Sequence, residues 1–225
     1  MQSEVTKMLL EKMAGFFEAR LAGYEEHMLK NIESAEEFYP FTAEQLPRFP
    51  GAALLDLGCG TGLELRWYYA INPTAQITGI DLSAGMLAAL RETYRQKAPR
   101  LICGSYFDVP FGEAVFDAAV SVESLHHFTQ AEKLPLYAKL YQSLKPGGCF
   151  VLTDYFALSD DEETCHRQTL EALKKAQGLR EGEFYHYDTP LTVAHEIQAL
   201  EAAGFQNIEI LGSWGATHTI KAVKL

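Results

Sequence analysis

The sequence predicts an α/β fold: a doubly wound sheet, mostly parallel with a final antiparallel strand, and helices on both faces. Three observations predict it. From residue 51 onward short apolar runs alternate with segments of helical spacing. A glycine-rich turn, GCGTG at residues 58–62, joins the first such run to the first such segment. The chain closes on two strand-like runs, NIEILGSW and THTIKAVKL, joined by a glycine-containing turn. At 225 residues and 48% apolar content, one domain with a substantial core is enough to account for the chain.

Residues 4–22 place Met8, Leu9, Met13, Phe16, Phe17 and Leu21 at helical spacing, predicting an amphipathic helix. A second helical piece covers Tyr24 to Phe38, and Pro40, Pro47 and Pro50 then break the pattern. AALLDLG reads as a buried strand, LELRWYYAI as a helix, QITGID as a strand and AGMLAALRETYRQK as a helix. RLICGS, FDAAVSV and CFVLTDYF are further strands. The helix AEKLPLYAKLYQSL precedes the last of them and stops at LKPGG. Ser159 to Asp188 departs from this rhythm with a polar helix and the aromatic run FYHYD, so about 158–189 reads as an insertion near the ligand-binding edge. LTVAHEIQALEAAGF is the last helix.

Nineteen basic against thirty acidic residues give a net charge of −11 with no Lys/Arg cluster, which disfavours nucleic acid as a partner. Cys59, Cys103, Cys149 and Cys165 form no CxxC pair and no cluster suited to zinc, so no metal and no disulfide framework are expected. The N-terminus lacks the pattern of a signal peptide, and no apolar run approaches the ~20 residues of a membrane span. A cytoplasmic protein, monomer or homodimer, is the expectation.

In open α/β sheets ligands bind beyond the carboxyl ends of the strands, which is where GCGTG lies. Glycine lets the backbone turn sharply and a ligand approach without meeting a Cβ. A dinucleotide fingerprint would need GxGxxG, but the third glycine, Gly62, comes one place early and Leu63 follows it. Asp56, two residues before Gly58, would repel a pyrophosphate and attract a cation. Asp81 ends the second strand, where an acid is suited to ribose hydroxyls. A nucleoside with a cationic tail satisfies both acids, and S-adenosylmethionine is such a molecule.

LLDLGCGTG, GIDLSAGML, GSYFDVPF, FDAAVSVESLHHF and LKPGG resemble, in order, the motifs of the class I S-adenosylmethionine-dependent methyltransferases, over about residues 50–155. The resemblance implies a Rossmann-like core at 51–225, with residues 1–50 as a helical lid of the same domain. It implies that Asp56, Gly58 and Gly60 line the methionine side of the cofactor, that Asp81 holds the ribose, and that Leu82 and Met86 pack on the adenine. Cys59 in the loop, Ser121 on the fourth strand and Tyr24 from the lid complete the cofactor set. Ser105 and Tyr106 stand in the loop after the third strand, where the family often has an adenine-binding Asp.

Methyl transfer from a sulfonium is an in-line displacement, in which placement of the acceptor supplies much of the catalysis. A base is needed only for a protonated nucleophile. Glu123 and His126 in SVESLHHF are the candidate catalytic residues. His127, Arg20, Tyr185 and His186 are the candidate acceptor-pocket residues, with Phe16, Tyr24, His27, Phe184 and Tyr187 near them. An enclosed aromatic pocket fits a small-molecule acceptor. A methyltransferase for tRNA or protein, and a non-catalytic S-adenosylmethionine-binding regulatory or scaffold protein, remain alternatives; a dehydrogenase is opposed by Asp56. The motifs specify neither the acceptor nor the attacking atom.

Overall fold

A computed structural model describes residues 8–180 and 182–225. Three helices come first: α1 (Met13–Arg20), α2 (Tyr24–Asn31) and α3 (Ala35–Glu44). The alternating part follows as β1 (Ala53–Leu57), α4 (Leu65–Ile71), β2 (Gln76–Asp81), α5 (Ala84–Thr93), β3 (Arg100–Cys103), β4 (Phe116–Val122), α6 (Gln130–Ser143) and β5 (Leu144–Tyr155). The chain ends with α7 (Asp160–Ala176), α8 (Val193–Ala202), β6 (Gln206–Trp214) and β7 (Thr217–Val223).

The seven strands form one sheet in the order β3-β2-β1-β4-β5-β7-β6. The pairs from β3 through β5 are parallel, and β7 is antiparallel to β5 and β6. Successive residues of a strand face opposite sides, and both sides are covered, so the central strands are apolar throughout. Leu55, Leu57, Ala119, Phe150 and Leu152 meet Leu136, Tyr137 and Leu140 of α6 and Ala199 and Leu200 of α8. Leu54, Ala118, Val120 and Val151 meet Phe38 and Ala43 of α3, Leu65 and Tyr68 of α4, and Leu87 and Leu90 of α5. These are the two wound faces the alternation predicts.

Helix ends follow their local chemistry. The Ser83 hydroxyl accepts from Met86 N at 3.1 Å and caps α5, while Thr129 and Glu132 form a capping box on α6. Four acids open α7 and two lysines close it, complementing the helix dipole.

The N-terminal region corrects the sequence reading. Residues 4–7 of the expected first helix lie outside the described residues, and 8–12 are not helical. Lys12 is extended and bridges Tyr185; Met13 N donates to Phe184 O at 3.0 Å, and His186 N to Glu11 O at 2.9 Å. Backbone pairing with the aromatic run has overridden the amphipathic pattern. The expected helix from Tyr24 to Phe38 is broken where Ile32 turns extended and Ser34 takes φ 59°. Pro40 lies inside α3 and does not end it.

Candidate functional site

The chain runs from β1 to β2 on one side and returns to β4 on the other, so β1 and β4 flank the point where the strand order reverses. The loop after β1 and the turn after β4 meet there. Gly58, Gly60 and Gly62 have φ of 71°, 47° and 75°, the left-handed region that glycine adopts without a Cβ penalty. A Cβ on Gly58 would collide with the Ser124 hydroxyl from the turn after β4. On Gly60 it would face the Tyr24 ring at 3.7 Å. The glycines thus serve the closeness of the two loops, with Gly60 open toward the N-terminal helices.

A narrow cleft of about 40 Å³ lies over this junction, lined by Gly58, Gly60, Asp81, Leu82, Met86 and Tyr106, and roofed by Met13, Phe17 and Tyr24. The Asp81 carboxylate accepts from Gly60 N at 2.9 Å and from Ser83 N at 2.8 Å, so it braces the glycine loop against the start of α5. Helix capping falls to Ser83 instead. Burial raises the Asp81 pKa against the pull of those N–H groups.

Asp56 lies 1% exposed behind the loop, its neighbour Glu64 is 5% exposed, and each keeps one carboxyl oxygen without a hydrogen-bond partner among the described residues. Burial, and then the presence of Glu64, pushes the Asp56 carboxyl well up; burial likewise raises Glu64. Three acids around one glycine loop, two of them with an orphaned oxygen, suit a ligand with cationic groups and oppose a pyrophosphate. The S-adenosylmethionine implied by the motifs fits this donor set in charge. A volume of a few waters is too small for it with Met13, Phe17 and Tyr24 where they stand.

Other residues of the expected cofactor set lie elsewhere. Cys59 Sγ packs against Gly79 of β2, inside the sheet, because the loop turns its side chain back. The Ser121 hydroxyl is buried and donates to Leu57 O at 3.0 Å. Ser105 Oγ accepts from Phe107 N at 3.2 Å, bracing its own turn. Tyr106 does line the cleft, its hydroxyl 3.3 Å from Ser124 Oγ.

Next to the cleft is a cavity of about 770 Å³. Arg20, His27, His126, Tyr155, His186 and Asp188 are among its walls. Phe17, Tyr24, Glu123 and His127 line both spaces. Of the expected aromatic wall only His186 faces the cavity, stacked on Phe16 at 3.4 Å. Phe184 packs on Phe107 and Phe128 in the core, and the buried Tyr185 donates to Glu183 at 2.8 Å, because the run pairs with residues 11–13 and alternates its side chains. Arg20 lies over the Phe16 ring at 3.6 Å and pairs with Glu11 at 2.9 Å.

Glu123 follows β4 with φ 49°, a left-handed conformation that costs a non-glycine residue ~1–2 kcal/mol and turns its side chain into the junction. Burial, then Asp154, raises its carboxyl to about 8. His126 Nδ1 is 2.5 Å from Asp154 Oδ1, and Asp154 Oδ2 accepts from Leu125 N at 2.8 Å. Burial would lower the His126 pKa, but Asp154, Asp188 and Glu123 outweigh it and bring it up to about 9. Burial and the charge on His126 lower His127. Asp154 and Asp188 were not among the sequence candidates; Asp154 could have been found as the acid ending the fifth strand, beside the turn that ends the fourth.

Residues 55–152 match the family described as "Methyltransferase domain". An O-methyltransferase (cnsE) of Penicillium expansum is 32% identical over 71% of this chain and 54% of its own length. A 24-methylenesterol C-methyltransferase of Arabidopsis thaliana is 30% identical over 58% of this chain and 37% of its own. The chain thus spans about half or less of the length of these relatives. Among solved structures, human N-acetylserotonin methyltransferase in complex with SAM is similar with a TM-score of 0.65 at 20% identity, over 94% of this chain and 56% of that one. The [4+2]-cyclase SpnF is similar with a TM-score of 0.63 at 20% identity, over 84% and 80%. Among the described residues no helix is long and apolar enough to cross a membrane.

Proposed function

We propose, from the premise that this chain belongs to the class I S-adenosylmethionine-dependent methyltransferases, that it methylates a small molecule held in the 770 Å³ cavity. The observation that carries the reading is the set of four side chains, Phe17, Tyr24, Glu123 and His127, shared by the cleft and the cavity. A cofactor in the cleft and an acceptor in the cavity would meet at those four. S-adenosylmethionine supplies, when bound, a methyl group on a positively charged sulfur.

The chain's own residues supply the rest. Asp56, Glu64 and Asp81 make the loop region favourable to cationic groups. Phe17 and Tyr24 close the junction from above and exclude water. Glu123 is placed to take a proton from a hydroxyl or amine acceptor, since it alone among the carboxylates borders both spaces. Geometry ranks it above His126, whose ring borders only the cavity and has Nδ1 committed to Asp154. Glu33, Glu123 and Asp188 line the cavity with a single arginine, Arg20, which opposes a polyanionic acceptor. A relative named for a sterol substrate also favours a small molecule.

The test is incubation with methyl-labelled cofactor and a metabolite extract, with and without nuclease and protease. Label is expected in a nuclease- and protease-resistant small-molecule fraction. Label lost to nuclease or protease would move the acceptor to RNA or protein. A fold shared with a protein named a cyclase leaves other chemistry open to this scaffold, and cofactor binding without S-adenosylhomocysteine formation would support it.

A further inference from the structure

We propose that His126 Nε2, His127 Nδ1 and a carboxylate oxygen of Asp188 form a binding site for one divalent transition-metal ion on the wall of the large cavity. Asp188 Oδ1 lies 3.1 Å from His127 Nδ1 and 3.6 Å from His126 Nε2, and the three donor atoms lie within 4.8 Å of one another. Two ligands about 2.0–2.2 Å from a shared ion stand ~2.8–3.6 Å apart at octahedral to tetrahedral angles, which both Asp188 distances meet.

A second observation points the same way. His127 Nδ1 is buried and makes no hydrogen bond among the described residues, because its approach to Asp188 is off the line a hydrogen bond needs. A buried ring nitrogen without a partner is costly, and a metal ion would satisfy it. The surroundings are those of a ligand set: Asp154 takes the other nitrogen of His126 at 2.5 Å and so turns Nε2 toward Asp188. Thr189 N donates to His126 O at 2.8 Å and holds Asp188 beside the two imidazoles. Two imidazoles and one carboxylate suit Zn²⁺, Fe²⁺, Co²⁺ or Mn²⁺ better than Mg²⁺ or Ca²⁺. The remaining coordination positions face the cavity, where they would hold an acceptor oxygen. That use rests on the proposed methyl transfer; the binding of the ion does not.

The sequence offered no metal-ligand spacing, since the donors come from residues 126, 127 and 188 and only the fold assembles them. The test uses chelator-treated protein carrying Cys103→Ser and Cys165→Ser, which removes the two exposed thiols, and titrates Zn²⁺ by calorimetry and Co²⁺ by visible absorption, without cofactor. One ion per chain is expected, with a Co²⁺ spectrum unlike that of the hexa-aquo ion. Asp154→Asn should weaken binding ~10–100-fold, the usual loss when a residue that orients a ligand is removed, and His127→Ala or Asp188→Ala by more. His195→Ala, outside the cavity, should leave binding unchanged. A folded wild-type protein that takes up no ion, or shows only hexa-aquo Co²⁺ absorption, would overturn the proposal. So would unchanged affinity in the His127→Ala, Asp188→Ala double variant. If the alanine variants fail to fold, Asp188→Asn and the wild-type Co²⁺ spectrum decide.

Discussion

Glu18 of α1 accepts a hydrogen bond from the Ser83 hydroxyl at 2.6 Å and another from Gly85 N at 3.0 Å, tying the roof of the narrow cleft to the first turn of α5. The Ser83 bond, followed by that from Gly85, holds the Glu18 carboxyl below its usual range. A group with a depressed folded pKa stabilises above its ordinary value, and that stabilisation is lost as pH falls through the lowered one. Glu18→Ala should speed cofactor dissociation several-fold, measured by stopped-flow fluorescence. Gly85→Ala, whose Cβ would strike the Glu18 carboxylate, should do the same. Unchanged dissociation in both would show that this contact does not govern the roof.

Asp56→Asn should abolish cofactor binding by calorimetry while raising the melting temperature of the ligand-free protein. The Asp56 and Glu64 carboxyls are raised by burial, so their effect on folding is harmless below the ordinary carboxyl range, ~4. It becomes a penalty as pH rises from that range toward the raised values, and the penalty is complete above them. The gain should therefore be absent at pH 4 and present at pH 8, where each kcal/mol appears as about 2–4 °C in a chain of this size. A variant less stable than wild type at pH 8 would contradict this account.

Glu123 separates chemistry from strain. Glu123→Gln keeps the side-chain shape and should cut kcat by about 10²-fold if Glu123 takes the acceptor proton, with little change in cofactor affinity. Glu123→Gly should also lose activity but gain up to ~1–2 kcal/mol from relief of the left-handed backbone. Undiminished kcat in Glu123→Gln would remove it from the proton path.

A buried ion pair joins α6 to α8: Lys133 Nζ donates to Glu196 Oε2 at 2.6 Å, with both side chains at most 2% exposed, and the Tyr137 hydroxyl donates to the other oxygen. Removing one partner strands a buried charge, so Lys133→Ala should cost about 3–5 kcal/mol in urea unfolding. Lys133→Met with Glu196→Leu should be much closer to wild type. Equal losses in the single and double variants would refute the pairing argument.

What could be read in advance was what lies contiguous in the chain. The alternation of strands and helices, the left-handed glycine loop, Asp56 before it, and Asp81, Leu82 and Met86 beside it depend on spacing within short segments. The acceptor side depends on segments that only meet after folding. The histidines of the turn at Leu125–His127 stand in a recognisable motif, but Asp154 and Asp188, which fold against them from two other places, were not singled out with it. The extended stretch before Met13 was misread because its pairing partner lies some 170 residues away. The motif fixes the backbone positions of Cys59 and Ser121 but not where their side chains turn: Cys59 Sγ packs on Gly79 and the Ser121 hydroxyl donates to Leu57 O.

Phe17 and Tyr24 stand at once over the narrow cleft and beside the large cavity. A displacement of α1 and α2 would therefore open both spaces at once, and a cofactor in the cleft would complete the floor on which an acceptor in the cavity rests. Steady-state kinetics should accordingly be ordered, with the cofactor entering first and its demethylated product leaving last.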